Sequence, residues 1–179
     1  MKVGVEKTHA LVRRAESDDV PTLIAAKWTA NFAKIHTDRF AMQARDDAFY
    51  LLALVDDAIA GHLLLKWDGP DGDMLRRQIA PCAEIEDLRV VEALRSRGIG
   101  SAMIGEAARL TAARGQPRLG LAVGLDNDCA HALYARLGFV RVDIPDFDVR
   151  WPCHTPTGEL AWGSERCTYM IKHVGKDRP

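Results

Sequence analysis

A mixed α/β sheet with helices on its faces is the fold class this sequence predicts, and three features predict it. Two apolar runs, residues 49–55 and 59–67, stand either side of Asp56-Asp57 and read as an antiparallel hairpin. An extended stretch, residues 83–91, then leads through Arg95-Ser96-Arg97-Gly98-Ile99-Gly100-Ser101 into an amphipathic helical pattern that ends near Arg114-Gly115. A further strand, residues 118–123, is followed by a short helical stretch around Tyr134.

The remaining elements follow in chain order. Residues 11–15 read as a first strand. Ser17-Asp18-Asp19 with Pro21 marks a helix start, and Leu23, Ile24, Ala26 and Trp28 continue its apolar face. A second helix is expected around residues 37–45. Residues 67–73 form a polar, glycine-rich loop before the central strand. Residues 139–142 and 167–172 read as closing strands, the last pairing with an earlier one. Between them, residues 143–166 are expected as a long loop carrying Trp151 and Trp162, of a length that usually marks function.

Composition narrows the function classes. The 179 residues suit one domain, spanning 1–179, with enough chain for a proper core. A net charge of −1 with mixed signs lacks the basic footprint of a nucleic-acid binder. The N-terminus lacks the apolar stretch of a signal peptide, and the apolar runs are too short to span a bilayer. A cytoplasmic chain that binds neither nucleic acid nor membrane is therefore expected, and a homodimer is left open. The four cysteines show no metal spacing, and neither do His36, His62, His131 and His154, so no metal and no histidine role is assigned. Cys129 has no evident activating partner.

The glycine run carries the first chemical signal. A strand that turns through glycines into a helix presents unpaired N–H groups at a positive helix end, which suits an anion such as a pyrophosphate. Arg95 and Arg97 add charge, while Gly98 and Gly100 leave room for a ligand against the main chain. The run is neither a dinucleotide fingerprint, which fails at Met103, nor a P-loop. The second signal is Asn127-Asp128-Cys129-Ala130-His131-Ala132-Leu133-Tyr134-Ala135-Arg136-Leu137-Gly138-Phe139, where Asn127 or Asp128 can cap a helix and Gly138 can end it.

Together these motifs resemble the GNAT superfamily of acyl-CoA-dependent N-acetyltransferases. The family's phosphate loop, [RQ]-x-x-G-x-[GA], is matched by Arg95, Gly98 and Gly100. Its second motif, roughly N-x-x-A-x-x-L-Y-x-x-L-G-F, is matched by Asn127, Ala130, Leu133, Tyr134, Leu137, Gly138 and Phe139. The resemblance is specific over residues 82–142 and general outside them. It implies a mostly antiparallel sheet with helices on both faces, and acetyl-CoA as cosubstrate. It further implies a pyrophosphate cradle at Arg95, Arg97, Gly98, Ile99, Gly100 and Ser101, with Asn127 nearby. The pantetheine arm would pair with the backbone of Leu88 and Val90 as an extra pseudo-strand. The acceptor would be a primary amine of a small molecule or peptide, attacking directly in a ternary complex. The alternatives are another acyl-CoA donor, or a CoA-binding module without turnover.

Two roles remain to be filled. A primary amine with a pKa near ~10.4 is mostly protonated at neutral pH and needs a base. Glu84 and Glu86 alternate onto one strand face, where the pattern alone fits solvation or pairing with Arg89 better than catalysis. In the histone-acetylating branch of the family the glutamate stands eleven positions before the loop arginine, as Glu84 does, while Glu86 stands nine before. A bulge in this strand would re-aim one side chain against the other. The departing thiolate needs a proton, and the resemblance assigns that to Tyr134, whose helical spacing with Ala130 and Leu137 would otherwise read as core.

Overall fold

The computed structural model describes residues 9–26, 28, 33–155 and 157–175. Its strands are β1 (Leu11–Arg14), β2 (Ala48–Val55), β3 (Ala58–Lys66), β4 (Ala83–Val90), β5 (Arg118–Gly124), β6 (Val140–Arg141), β7 (Phe147–His154) and β8 (Leu160–His173). Its helices are α1 (Asp19–Ala25), α2 (Ala33–Ala44), α3 (Asp73–Gln78), α4 (Ile99–Ala113) and α5 (Asp128–Arg136). The sheet runs β1-β2-β3-β4-β5-β8-β6, with β7 also on β8. Only β4 and β5 run parallel; the other pairs are antiparallel.

Why β2 reads as an unbroken apolar run becomes clear from its two faces. Phe49, Leu51 and Ala53 pack toward α4, while Ala48, Tyr50 and Leu52 pack with Leu23 of α1 and Phe40 and Met42 of α2. A strand covered on both sides has no solvent face to alternate with. Asp56 and Asp57 turn the chain into β3 with φ of 48° and 61°, a conformation that suits short polar residues in a two-residue hairpin. Helix α4 buries Ile99, Met103, Ile104, Ala107 and Thr111, one stripe at helical spacing, against the sheet. On the opposite face α3 sets Leu75 against Tyr169 and Phe147. Helices therefore cover both faces, and the mixed, mostly antiparallel sheet is the one expected.

Several boundaries differ from the expectation. Helix α1 stops at Ala25, so Trp28 lies beyond it, and α2 begins at Ala33 rather than at residue 37. Helix α3 is an addition that begins where the residue 67–73 loop ends, in a stretch the sequence reading left unassigned. The closing strand at residues 139–142 shrinks to β6, because Phe139 turns into the core against Tyr134, ring centroids 5.8 Å apart.

The largest correction is residues 143–166, which are not a loop. Most of them form β7 and the first half of β8, an antiparallel hairpin in register from Phe147↔Cys167 to His154↔Leu160. Trp151 lies across Gly163, where a Cβ would meet the indole at 2.5 Å, so the glycine makes the pairing possible. Pro152 is tolerated because the outer edge of β7 needs no donor. Since β5 ends opposite Cys167, the hairpin projects past the C-terminal end of β5. Among the described residues no helix is long and apolar enough to cross a membrane.

Candidate active site

The site begins where two parallel strands separate. β4 and β5 pair at Ala83↔Leu119, Glu84↔Gly120 and Ile85↔Leu121, and no further. Beyond Ile85, β4 keeps its pairing with β3 through Glu86↔Leu64, Arg89↔His62 and Val90↔Gly61. Its other edge faces no strand among the described residues. Unpaired peptide groups along such an edge can accept an extended, amide-bearing ligand.

The glycine turn closes one end of this gap. After a single 3₁₀ turn, Glu92–Leu94, the backbone is left-handed at Ser96 (φ 63°) and at Gly98 (φ 89°). The first bond of α4 runs from the Ala102 N–H to the Gly98 carbonyl at 3.0 Å. That leaves the N–H groups of Ile99, Gly100 and Ser101 directed out of a positive helix end. A Cβ on Gly100 would meet only Leu133 at 3.7 Å and Val90 at 4.0 Å, so the position is open and faces both motifs. The Arg95 guanidinium folds back to donate to the Val90 carbonyl at 3.2 Å, and Arg97 is exposed. A backbone cradle of this kind, with no acidic side chain in it from Arg95 to Ser101, fits a pyrophosphate.

Across the gap stands α5. Asn127 caps it, its Oδ1 accepting from the Ala130 N–H at 3.2 Å. Tyr134 is only 8% exposed, and burial pushes its phenol up to about 12. The hydroxyl therefore keeps its proton throughout the neutral range and remains a donor.

The two glutamates share the face of β4 opposite α4, and the structure separates their circumstances. Glu86 accepts from Lys66 Nζ at 2.8 Å, and Lys66 also donates to Asp71 at 2.8 Å. Burial works against the Lys66 ammonium, but Glu86 and Asp71 outweigh it and raise its pKa. Glu84 is 5% exposed, and its Oε2 has no hydrogen-bond partner. Burial, reinforced by Glu86 and opposed by Lys66, pushes its carboxyl up to about 8. The Tyr169 hydroxyl lies between Glu84 and Cys82, 3.6 Å from the Cys82 sulfur, in space that exists only because residue 120 is glycine.

A bulge then reverses the strand's alternation. Asp87 adopts φ 49°, and residues 87 and 88 together oppose Leu63 alone. Before the bulge the even positions Glu84 and Glu86 face away from α4; after it Leu88 and Val90 pack into the α4 core. Asp87 and Arg89 take the vacated face, where Asp87 accepts from Arg39 of α2 at 2.8 Å and from the Arg89 Nε at 2.5 Å. His36, Tyr50 and His62, which the sequence reading left without a role, surround this pair. The His36 Nδ1 lies 2.8 Å from the Tyr50 hydroxyl, and both ring nitrogens of buried His62 lack a partner. No local motif announces this cluster, because its members come from α2, β2, β3 and β4. The only hint is polar residues inside otherwise apolar elements. Among the described residues no group of three or more His, Cys, Asp or Glu is placed to hold a metal ion.

Comparison with known proteins decides what this arrangement belongs to. The sequence model of the Acetyltransferase (GNAT) family matches residues 14–139, well beyond the motif region that carried the resemblance. The chain belongs to the GNAT acetyltransferase family. Among solved structures, this GNAT fold is similar to the ribosomal-protein-S18-alanine N-acetyltransferase of Escherichia coli. There the TM-score is 0.64 at 18% identity, covering 95% of this chain and 97% of that one. It is also similar to the PaiA N-acetyltransferase of Thermoplasma acidophilum in complex with coenzyme A, with TM-score 0.61, 17% identity and coverage of 93% and 99%. A third is YncA of Salmonella typhimurium with acetyl-CoA, with TM-score 0.64, 13% identity and coverage of 96% and 98%. At such identities the likeness is one of fold.

Proposed function

We propose that this GNAT protein transfers an acetyl group from acetyl-CoA to a primary amine of a small molecule or peptide, by direct attack in a ternary complex. The observation that carries the reading is the parting of β4 from β5 after Ile85↔Leu121, beside the outward N–H groups of Ile99, Gly100 and Ser101. A pyrophosphate would rest on those donors with Arg97 alongside. The amides of a pantetheine arm would pair with the backbone of Leu88 and Val90, with Asn127 at the opposite lip.

The chemistry needs the acceptor nitrogen to lose two protons and the leaving sulfur to gain one. Glu84, acting directly or through a water, would take a proton from the acceptor ammonium. It is the carboxylate without an ion-pair partner, whereas Glu86 is committed to Lys66. The amine nitrogen then bonds to the thioester carbon, and the C–S bond breaks as the tetrahedral centre collapses and the nitrogen's second proton passes to solvent. Tyr134 would supply the proton that the departing thiolate takes up. The projecting β7–β8 hairpin, with Trp162 59% exposed, would flank the acceptor side.

The test is release of free thiol from acetyl-CoA over a panel of small amines and N-terminal peptides, an alanine-initiated peptide among them. Amine-dependent release supports the reading, and a changed acceptor order in Trp162→Ser would place the hairpin at the acceptor. CoA binding without release on any amine would mark a non-catalytic module.

A further inference from the structure

The bulge in β4 is held from outside the strand, by α2 on the sheet face opposite α4. Asp87 is a non-glycine residue in the left-handed region, which asparagine and aspartate enter more readily than other residues but which still carries strain. Its carboxylate receives Arg39 Nη1 at 2.8 Å and Arg89 Nε at 2.5 Å. Arg39 belongs to α2 and is buried, its guanidinium 5.7 Å from the Tyr50 ring centroid. Tyr50 is itself fixed, its hydroxyl against His36 and its N–H donating to Gln43 of α2 at 3.0 Å. His62, edge-on to Tyr50 with centroids 5.7 Å apart, adds an aromatic wall without competing for Asp87 by hydrogen bond. A charge pair enclosed this way is stronger than one at the surface; Asp87 also keeps Arg89, while Asp87 is the carboxylate that pairs Arg39 among the described residues.

The position of the pair matters as much as its burial. Asp87 stands two residues after Ile85, the last residue of β4 joined to β5, and one residue before Leu88. It therefore sits at the hinge between the paired and the open halves of the strand. We propose that Arg39 is a positioning residue: by pinning Asp87 at the bulge, it fixes the orientation of the Leu88–Val90 peptide edge that receives the pantetheine arm. This rests on the reading of that edge as the CoA site. Loss of the pin would not abolish the bulge, since Leu88 and Val90 are still drawn into the α4 core. It would let the peptide planes between them sample several orientations, and CoA would then have to order them on binding. The pin also joins α2 to the cofactor strand.

The experiment is calorimetric titration of CoA into the full chain, comparing wild type, Asp87→Asn, Arg39→Gln, the double variant and Arg39→Lys, well below each melting temperature. Asparagine keeps the tolerance for positive φ and the side-chain shape while removing the charge. Each neutralising single change is expected to weaken CoA by about tenfold, the double no more than the worse single, and Arg39→Lys to recover most of the loss. A merely structural role would lower melting temperatures and leave CoA affinity as in wild type; that result in Asp87→Asn overturns the proposal. Should a single variant fail to fold, the double variant, which leaves neither Arg39 nor Asp87 charged, carries the same two outcomes. Wild-type protein that does not bind CoA would end the cofactor reading and this proposal together, whereas wild-type affinity in the variants ends the proposal alone.

Discussion

Residues 83–85 and 86–90 belong to one strand and live under different rules. Glu84 and Ile85 are gripped on both sides, by β3 and by β5, Ala83 pairs with β5, and Ala83 and Ile85 are core. The next five keep only β3, contain a left-handed residue and expose one peptide edge. A fully paired strand satisfies its own backbone and has nothing left to offer a ligand. A half-paired strand leaves donors and acceptors open, and these lie beside the open N–H groups of α4. In this chain the difference between scaffold and site is a difference in hydrogen-bond partners, within one strand.

The sharpest way to break that comparison is to spoil the open side without touching the closed one. Gly100→Glu places bulk and negative charge at the helix end while a Cβ there meets nothing closer than 3.7 Å. We expect CoA binding by calorimetry to be lost with the circular dichroism spectrum and melting temperature nearly unchanged. Unaltered affinity would remove the cradle from the site.

Tyr134→Phe comes next in size. It keeps the ring against Phe139 and removes only the proton, so thiol release should fall by roughly 10²–10⁴-fold while the melting temperature barely moves. Full activity with lowered stability would return Tyr134 to the core.

Glu84 sharpens the closed side, because its carboxyl is raised from 4.5 to about 8. Such a group stabilises the fold only while protonated: the contribution is complete below about pH 4.5 and disappears as pH rises through about 8. Glu84→Gln should therefore match wild type near pH 4.5 and melt higher than wild type at pH 9. The difference grows by about 1.4 kcal/mol for each pH unit between 4.5 and about 8, and levels off above. The same substitution should erase the acidic limb of the pH–rate profile, a gain in stability with a loss of turnover. Loss of the limb in Glu86→Gln alone would transfer the base to Glu86, and an unaltered profile in both would place it off this strand.

How far the sequence anticipated this molecule follows the same division. The glycine turn and the Asn127 cap were legible because a helix start and a tight turn demand particular residues within a few positions. The β7–β8 hairpin was not. Phe147, Val149 and Trp151 do alternate, but Pro152 and Gly163 read as strand breakers until Gly163 is seen to make room for Trp151. A bulge in this strand was expected, but its position was hidden, since Asp87 fits an ordinary extended run and only the tertiary pairing reveals that alternation reverses there, after both glutamates. Strict alternation from Glu84 and Glu86 would put Leu88 and Val90 on the face that Asp87 and Arg89 occupy. The His36–Tyr50–His62 surround of Arg39 lay beyond any local pattern for the same reason.

Amide hydrogen exchange on the wild-type protein, with and without CoA, tests the central claim most directly. Glu84 and Ile85 should exchange slowly in both states, because they are paired on both sides already. CoA should slow exchange at the open amides within residues 86–90 and at 97–101, and leave the β7–β8 hairpin as it was. Saturating CoA that protects neither segment would contradict the account.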